Sequence, residues 1–138
     1  MGNEALVQAI KRINNLLKEG KTEEYYEGYR ELFASPEFGS FRPEDRRQAL
    51  RLMVLAKNAP PRATPGKIEA HRSAIGPLTE MVSLYSDPAD HEMLGMCHEL
   101  LGNEQSASTI FRAGLAIERQ RNPQSDLCGA LMKRVSLI

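Results

Sequence analysis

The sequence predicts an all-α fold built from antiparallel helical hairpins, and three observations carry the prediction. Apolar residues recur every three or four positions along most of the chain, which is the period of a helix with one buried face. Gly20 and Gly102 each fall between two such runs, where a left-handed residue ends a helix. Pro43, Pro65 and Pro88 each stand at the start of a further run, in the first turn that accepts proline.

The first hairpin is predicted over residues 3–39. Its first helix ends at Gly20, and Thr22 is predicted to cap the second helix. Glu23 and Glu24 follow in the first turn, where the helix dipole favours negative charge. The apolar residues of the two helices are Leu6, Ile10, Ile13, Leu16 and Leu17, then Tyr25, Tyr29, Leu32 and Phe33.

An enlarged unit is predicted at residues 40–87. Pro43 begins a helix that is predicted to run to Lys57. The segment NAPPRATPG comes next, and its prolines exclude a helix, so a long loop is expected there.

The second helix of this unit opens with Thr64 as its cap and Pro65 as its first residue. A kink or break is predicted at Gly76-Pro77, because proline removes a backbone donor and clashes with the preceding turn. The apolar side of the helix comprises Ile68, Ile75, Leu78, Met81, Val82 and Leu84.

Residues 88–121 are predicted to form a third hairpin. Asp87 caps its first helix, Gly102 ends that helix, and Asn103 is predicted to cap the next one. A last helix is predicted over residues 123–138. The residues expected to face water on it are Asp126, Lys133, Arg134 and Ser136.

Small residues stand at fixed intervals in the third hairpin. Gly95, Ala107 and Gly114 are predicted where its two helices cross closely, because a large side chain would force them apart. With Leu94, Gly102 and Phe111 they form a series that resembles the tetratricopeptide repeat, a helical hairpin that stacks on copies of itself. The length of 138 residues predicts a single domain over residues 1–138, and the resemblance implies its architecture. This domain would be a stack of about three hairpins, the middle one enlarged, with a C-terminal capping helix.

The same resemblance implies a non-enzymatic protein–protein interaction module, acting as a scaffold, adaptor or chaperone. The first helix of each hairpin would line a groove that holds a segment of a partner protein. The carboxylate clamp of some family members is not predicted, because Ile10 stands in the place of its lysine. The candidate contacts are Lys11, Asn14 and Asn15 on the first such helix, Arg47 and Arg51 on the second, and His91 and His98 on the third.

Charge distribution offers a further indication of partners. The chain has 18 basic and 18 acidic residues, so its total charge favours neither a nucleic acid nor a membrane. The segment Arg42–Arg72 nevertheless holds eight basic and three acidic residues. This excess is typical of a solvated helix face, and a functional role would indicate an acidic or phosphate-bearing partner. The alternative function is a helical nucleic-acid-binding or regulatory protein that uses this segment.

No catalytic residue, cofactor or metal is predicted. His91 and His98 are seven residues apart on one helix, about 10.5 Å along its axis, which is too far for one ion to reach both. Cys97 and Cys128 are predicted to be packed thiols, and a cytoplasmic location is expected because no leader or membrane span is recognised. A reactive Cys128 is the remaining enzymatic alternative.

Overall fold

A computed structural model describes residues 3–138, so the first two positions of the predicted domain lie outside the description. The regular structure of the described chain consists of seven α-helices, one short 3-10 helix and no strand, which confirms the all-α prediction. The α-helices are α1 (Glu4–Lys18), α2 (Thr22–Ala34), α3 (Pro43–Val54), α4 (Pro65–Tyr85), α5 (Pro88–Leu100), α6 (Glu104–Arg121) and α7 (Asp126–Ser136). The 3-10 helix, Pro36–Ser40, follows α2.

The helices fall into two compact units that divide within α4. One unit ends at Pro77, and the other runs from Leu78 to Ile138. In the first unit α1 packs against α2, and α2 packs against the 3-10 helix. In the second unit α5 packs against α6, and α7 packs against both. None of the helices in residues 3–138 has the length and hydropathy that crossing a membrane requires.

Both predicted glycine turns have the same backbone geometry. Gly20 has a φ of +79° and Gly102 a φ of +84°, which confirms that each ends its helix in the left-handed region. After α1, the amide of Lys21 donates to the carbonyl of Leu16 at 2.9 Å and that of Gly20 donates to Leu17 at 3.0 Å. The corresponding two bonds follow α5, at 2.8 and 3.0 Å. This is the Schellman pattern, and it satisfies carbonyls at the end of each helix.

The predicted caps divide into two groups. Asp87 accepts a hydrogen bond from the amide of Ala89 at 2.9 Å, and Thr64 accepts one from Lys67 at 3.3 Å, as predicted. Asn103 occupies the predicted N-cap position, but its side chain makes no capping hydrogen bond. The prediction for Thr22 was wrong, because Lys21 occupies the N-cap position and Thr22 is the first residue of α2. Lys21 and Asn103, which occupy the N-cap positions, have ψ near 67° instead of the extended backbone that aims a capping side chain at the helix.

Three features of α3 and α4 differ from the prediction. A break at Gly76-Pro77, one of the two outcomes predicted there, does not occur, because α4 continues through both residues to Tyr85. Ala74 before this point and Leu78 after it are fully buried, so packing on both sides offsets the missing backbone bond. Leu84, expected on the buried side, is exposed. The helix α3 ends at Val54 instead of Lys57.

The last helix begins at Asp126 instead of residue 123. Ser125 is its cap, because its hydroxyl accepts a hydrogen bond from the amide of Cys128 at 3.0 Å. The same hydroxyl donates to Glu118 at 2.6 Å, which ties the start of α7 to α6. Arg134, expected to face water, is instead partly buried and bonded to Glu92.

A row of aromatic rings forms the core of the first unit. Tyr25, Tyr26, Tyr29 and Phe33 are buried along α2, and neighbouring rings lie 4.9 to 5.5 Å apart between centroids. The 3-10 helix returns Phe38 to this row, 5.2 Å from Phe33. Burial raises the pKa of the Tyr29 phenol, whose hydroxyl donates to Asn14.

The first and third hairpins each have a close helix crossing that depends on a glycine. In the third hairpin, a Cβ atom at Gly95 would lie 2.3 Å from Cε1 of the buried Phe111, and one at Gly114 would lie 2.6 Å from Cβ of His91. These contacts confirm the predicted close approach. In the first hairpin the glycine is on the second helix, because Ile13 on α1 packs onto Gly28 of α2, where a Cβ would lie 2.7 Å from its Cγ1, whereas at Gly95 the glycine is on the first helix.

Candidate partner-binding groove

An open groove of about 550 Å³ lies on the first hairpin, between α1 and α2. Its floor is apolar, and its two sides carry charged residues. The floor residues are Ala9, Ile13, Leu16, Gly28 and Leu32. The charged residues are Arg12 on α1 and Glu24, Glu27 and Glu31 on α2. The groove therefore combines apolar surface with a side that is predominantly acidic.

Local packing explains the shape of the floor. Ile13 is buried against Gly28, which contributes only backbone to the groove. Leu16 and Leu32 are half-buried, so part of each side chain remains accessible from the groove. Burying such partly exposed apolar surface against a partner is favourable, at about 25 cal/mol per Å².

The acidic side follows from residue spacing on α2. Glu24, Glu27 and Glu31 are separated by three and four residues, so they share one face of the helix. Arg30 binds Glu27 through two hydrogen bonds, from Nη2 at 2.6 Å and from Nε at 2.8 Å. These bonds hold the pKa of Glu27 below its usual value and raise the pKa of Arg30. Glu24 and Glu31 are exposed on either side of this pair.

A second depression, of about 590 Å³, follows the outer face of α1 and shares Arg12 and Leu16 with the groove. Lys11 and Asn15, two of the predicted partner contacts, line it and are exposed. The structure thus places these two residues beside the groove. Together with Arg12, Lys11 gives the α1 side of the groove, opposite the acidic side on α2, a partly basic character.

Asn14 has a role within the hairpin. Its Oδ1 accepts a hydrogen bond from the hydroxyl of Tyr29 at 3.1 Å, and Tyr29 is completely buried. A buried hydroxyl without a partner is costly, so this bond stabilises the packing of α1 on α2. The predicted contacts of α1 are therefore separated, with Lys11 and Asn15 on the surface and Asn14 facing α2.

The basic segment has many of its charges engaged within the chain. Arg42 forms an ion pair with Asp45 at 3.5 Å, and Arg72 forms one with Glu69 at 3.3 Å. The ammonium of Lys67 donates to the carbonyl of Pro60 at 2.7 Å. Of the predicted contacts on α3, Arg51 is exposed, whereas Arg47 is half-buried and has a partner in the chain. The exposed positive surface is therefore smaller than the composition of the segment indicates.

The two predicted histidine contacts lie in different environments. His91 is buried, and its Nδ1 donates to the carbonyl of Asp87 at 2.9 Å, so it belongs to the packing of the third hairpin. His98 is half-buried and lines a shallow cleft of about 270 Å³ with residues of α6. Within residues 3–138, no group of three or more His, Cys, Asp or Glu side chains is arranged to hold a metal ion.

No family model, curated protein or solved structure matches this chain.

Two roles of the acidic residues were missed by sequence reasoning. Glu23 was assigned to the helix dipole, but its carboxylate accepts hydrogen bonds from Thr64 at 2.5 Å and from the amide of Gly66 at 2.9 Å. Glu23, which lies on α2, therefore caps the first turn of α4. The acidic side of the groove was also missed, although the spacing of Glu24, Glu27 and Glu31 was a usable signal.

Proposed function

We propose that this chain is a non-catalytic protein–protein interaction module that holds a segment of a partner protein in the groove between α1 and α2. The observation that carries the proposal is the combination of an apolar floor with charged sides in a groove of about 550 Å³. Apolar surface of this kind supplies binding energy, and the charged sides supply orientation and selectivity.

The dimensions of the groove support a segment as ligand. Its volume lies within the range of about 300 to 1,000 Å³ that binding sites commonly have, and it is open along one side. An extended or helical segment places several apolar side chains in such a groove, as in helix-in-groove recognition.

The resemblance of residues 88–121 to the tetratricopeptide repeat supports the same class of function, because arrays of such hairpins hold partner segments. A scaffold, adaptor or chaperone role is compatible with this mode of binding. The proposed location is the cytoplasm, where the buried thiols of Cys97 and Cys128 would remain reduced.

Site-specific photo-crosslinking in the cells that produce the protein tests this proposal. A photoreactive amino acid at Ala9, in the groove, is expected to capture a discrete protein that mass spectrometry identifies. The matched control is the same amino acid at Ala113, which is exposed on α6. Capture of the same proteins from both positions, or of none from Ala9, would contradict the proposal.

A further inference from the structure

We propose that the segment held in the groove is a cationic amphipathic helix, with apolar residues on the floor and Lys or Arg residues facing Glu24 and Glu31. This inference rests on the proposed function and specifies the chemistry of the partner. It differs from the acidic or phosphate-bearing partner that a functional role of the segment Arg42–Arg72 would indicate.

The charge of the groove favours a basic occupant. Three of the four charged residues that line it are acidic. Arg30 forms its two hydrogen bonds with Glu27, and Glu24 and Glu31 are the other exposed carboxylates on the acidic side. A basic side chain gains a favourable interaction with each of them, and a phosphate or carboxylate is repelled.

The spacing of the two carboxylates favours a helix. Glu24 and Glu31 are seven residues apart on α2, which separates them by about 10.5 Å along its axis. A partner helix lying along α2 has the same rise, so basic residues seven positions apart would match both carboxylates. Apolar residues three and four positions away from them on the partner would then face the floor.

The opposite side sets the orientation of the partner. Arg12 lines the groove on α1, and Lys11 lies in the adjoining depression. A segment that is basic on one flank and neutral or acidic on the other matches both sides. A uniformly basic segment matches only α2, so the groove selects for charge asymmetry as well as for positive charge.

Fluorescence anisotropy with designed peptides tests the inference on the full chain. The probe is an 18-residue amphipathic peptide of leucine and lysine, with lysines seven positions apart on one flank of its leucine face. The matched peptide carries glutamate in place of each lysine. We expect the lysine peptide to bind at least about tenfold more tightly, and its affinity to fall as salt concentration rises.

Charge reversal in the protein identifies the surface responsible. The double variant Glu24→Lys with Glu31→Lys is expected to reverse the preference between the two peptides. The matched control, Glu99→Lys with Glu104→Lys, makes the same change in net charge at exposed positions outside the groove and should retain the original preference. Circular dichroism checks that both variants remain folded.

The outcomes separate the two proposals. Equal binding of the two peptides, or an equal effect of both double variants, overturns the cationic partner. If photo-crosslinking from Ala9 still captures a protein, the proposed function stands alone. Self-association that is lost only in the Glu24→Lys, Glu31→Lys variant would identify a second copy as the occupant and would also overturn the inference. If the photoreactive residue at Ala9 captures no protein and neither peptide binds, the proposed function and the cationic partner are both overturned.

Discussion

Arg134 on α7 donates a hydrogen bond of 2.9 Å from Nε to the carboxylate of Glu92 on α5. The side chain of Glu92 is only 10% exposed, so it relies on Arg134 to compensate for lost hydration. The guanidinium also lies 5.8 Å from the centroid of the Phe111 ring on α6. One side chain therefore joins α5, α6 and α7.

Replacing Arg134 by alanine is expected to lower the free energy of unfolding by about 1 to 3 kcal/mol, because it leaves the carboxylate of Glu92 buried without this partner. Urea denaturation measures the change. Lys133→Ala is the control, since Lys133 is exposed on the same helix and should change stability by less than about 0.5 kcal/mol. Equal effects of the two variants would show that the ion pair contributes nothing specific.

The crossing of α5 and α6 makes Gly95 sensitive to a single methyl group. Gly95→Ala should destabilise the protein by about 1 to 3 kcal/mol, because its Cβ would overlap the buried ring of Phe111. Gly129→Ala on α7 meets open space and should stabilise the protein by about 0.5 to 1 kcal/mol through helix propensity. Thermal unfolding of the two variants should therefore shift in opposite directions.

The contact between Ile13 and Gly28 should appear as energetic coupling. Gly28→Ala places a Cβ 2.7 Å from Cγ1 of Ile13, whereas Ile13→Ala removes that atom and leaves a cavity. In a double-mutant cycle, Gly28→Ala should cost about 1 kcal/mol less in the Ile13→Ala background. Additive effects would mean that Ile13 adjusts to the extra methyl group without cost.

His71 should make the free energy of unfolding depend on pH. Burial lowers its pKa below the usual 6.5, opposed by the bond to the Lys67 carbonyl and assisted by the charge of Lys67. Between the folded pKa and 6.5 the unfolded chain binds more protons, so stability falls as pH decreases through 6.5 toward the folded value.

The control for this pH dependence is His71→Gln. Its unfolding free energy, measured by urea denaturation from pH 7.5 to 5, should fall less steeply than that of the parent protein. Subtracting the two curves removes the contribution of the carboxylates. Parallel curves would show that His71 has the same proton affinity in the folded and unfolded chains.

Cys97 should be unreactive in the folded protein. Burial raises the pKa of its thiol to about 12, so the thiolate is scarce near neutral pH. An aromatic disulfide reagent at pH 8 should modify it at least about a hundredfold faster in urea than under native conditions. Native modification of a Cys97→Ala variant measures Cys128 alone, and a fast reaction there would support the enzymatic alternative.

Local features of the fold were predictable from sequence. The helical period, the turns at Gly20 and Gly102 and the close crossing at Gly95 depend on residues near one another in the chain. By contrast, the continuity of α4 through Pro77 depends on burial on both sides of the proline. The cap that Glu23 provides joins positions more than forty residues apart, as its bonds to Thr64 and Gly66 show.

The candidate site was less predictable for a related reason. The resemblance predicts seven polar residues as partner contacts, because it places them on the first helix of each hairpin. Whether such a residue faces solvent depends on the detailed packing, which turns Asn14 toward Tyr29 and buries His91 beneath Gly114. Predicting the groove requires knowledge of which face of α2 remains accessible once the aromatic row is buried.

The opposite order of sizes at the Ile13–Gly28 and Gly95–Phe111 contacts limits how the hairpins can be recombined. A chimera that joined α1 to α6 would oppose two large side chains, Ile13 and Phe111. One that joined α5 to α2 would oppose Gly95 and Gly28 and leave a void. Individual helices are therefore not interchangeable building blocks, and protein engineering on this scaffold must transplant each hairpin intact.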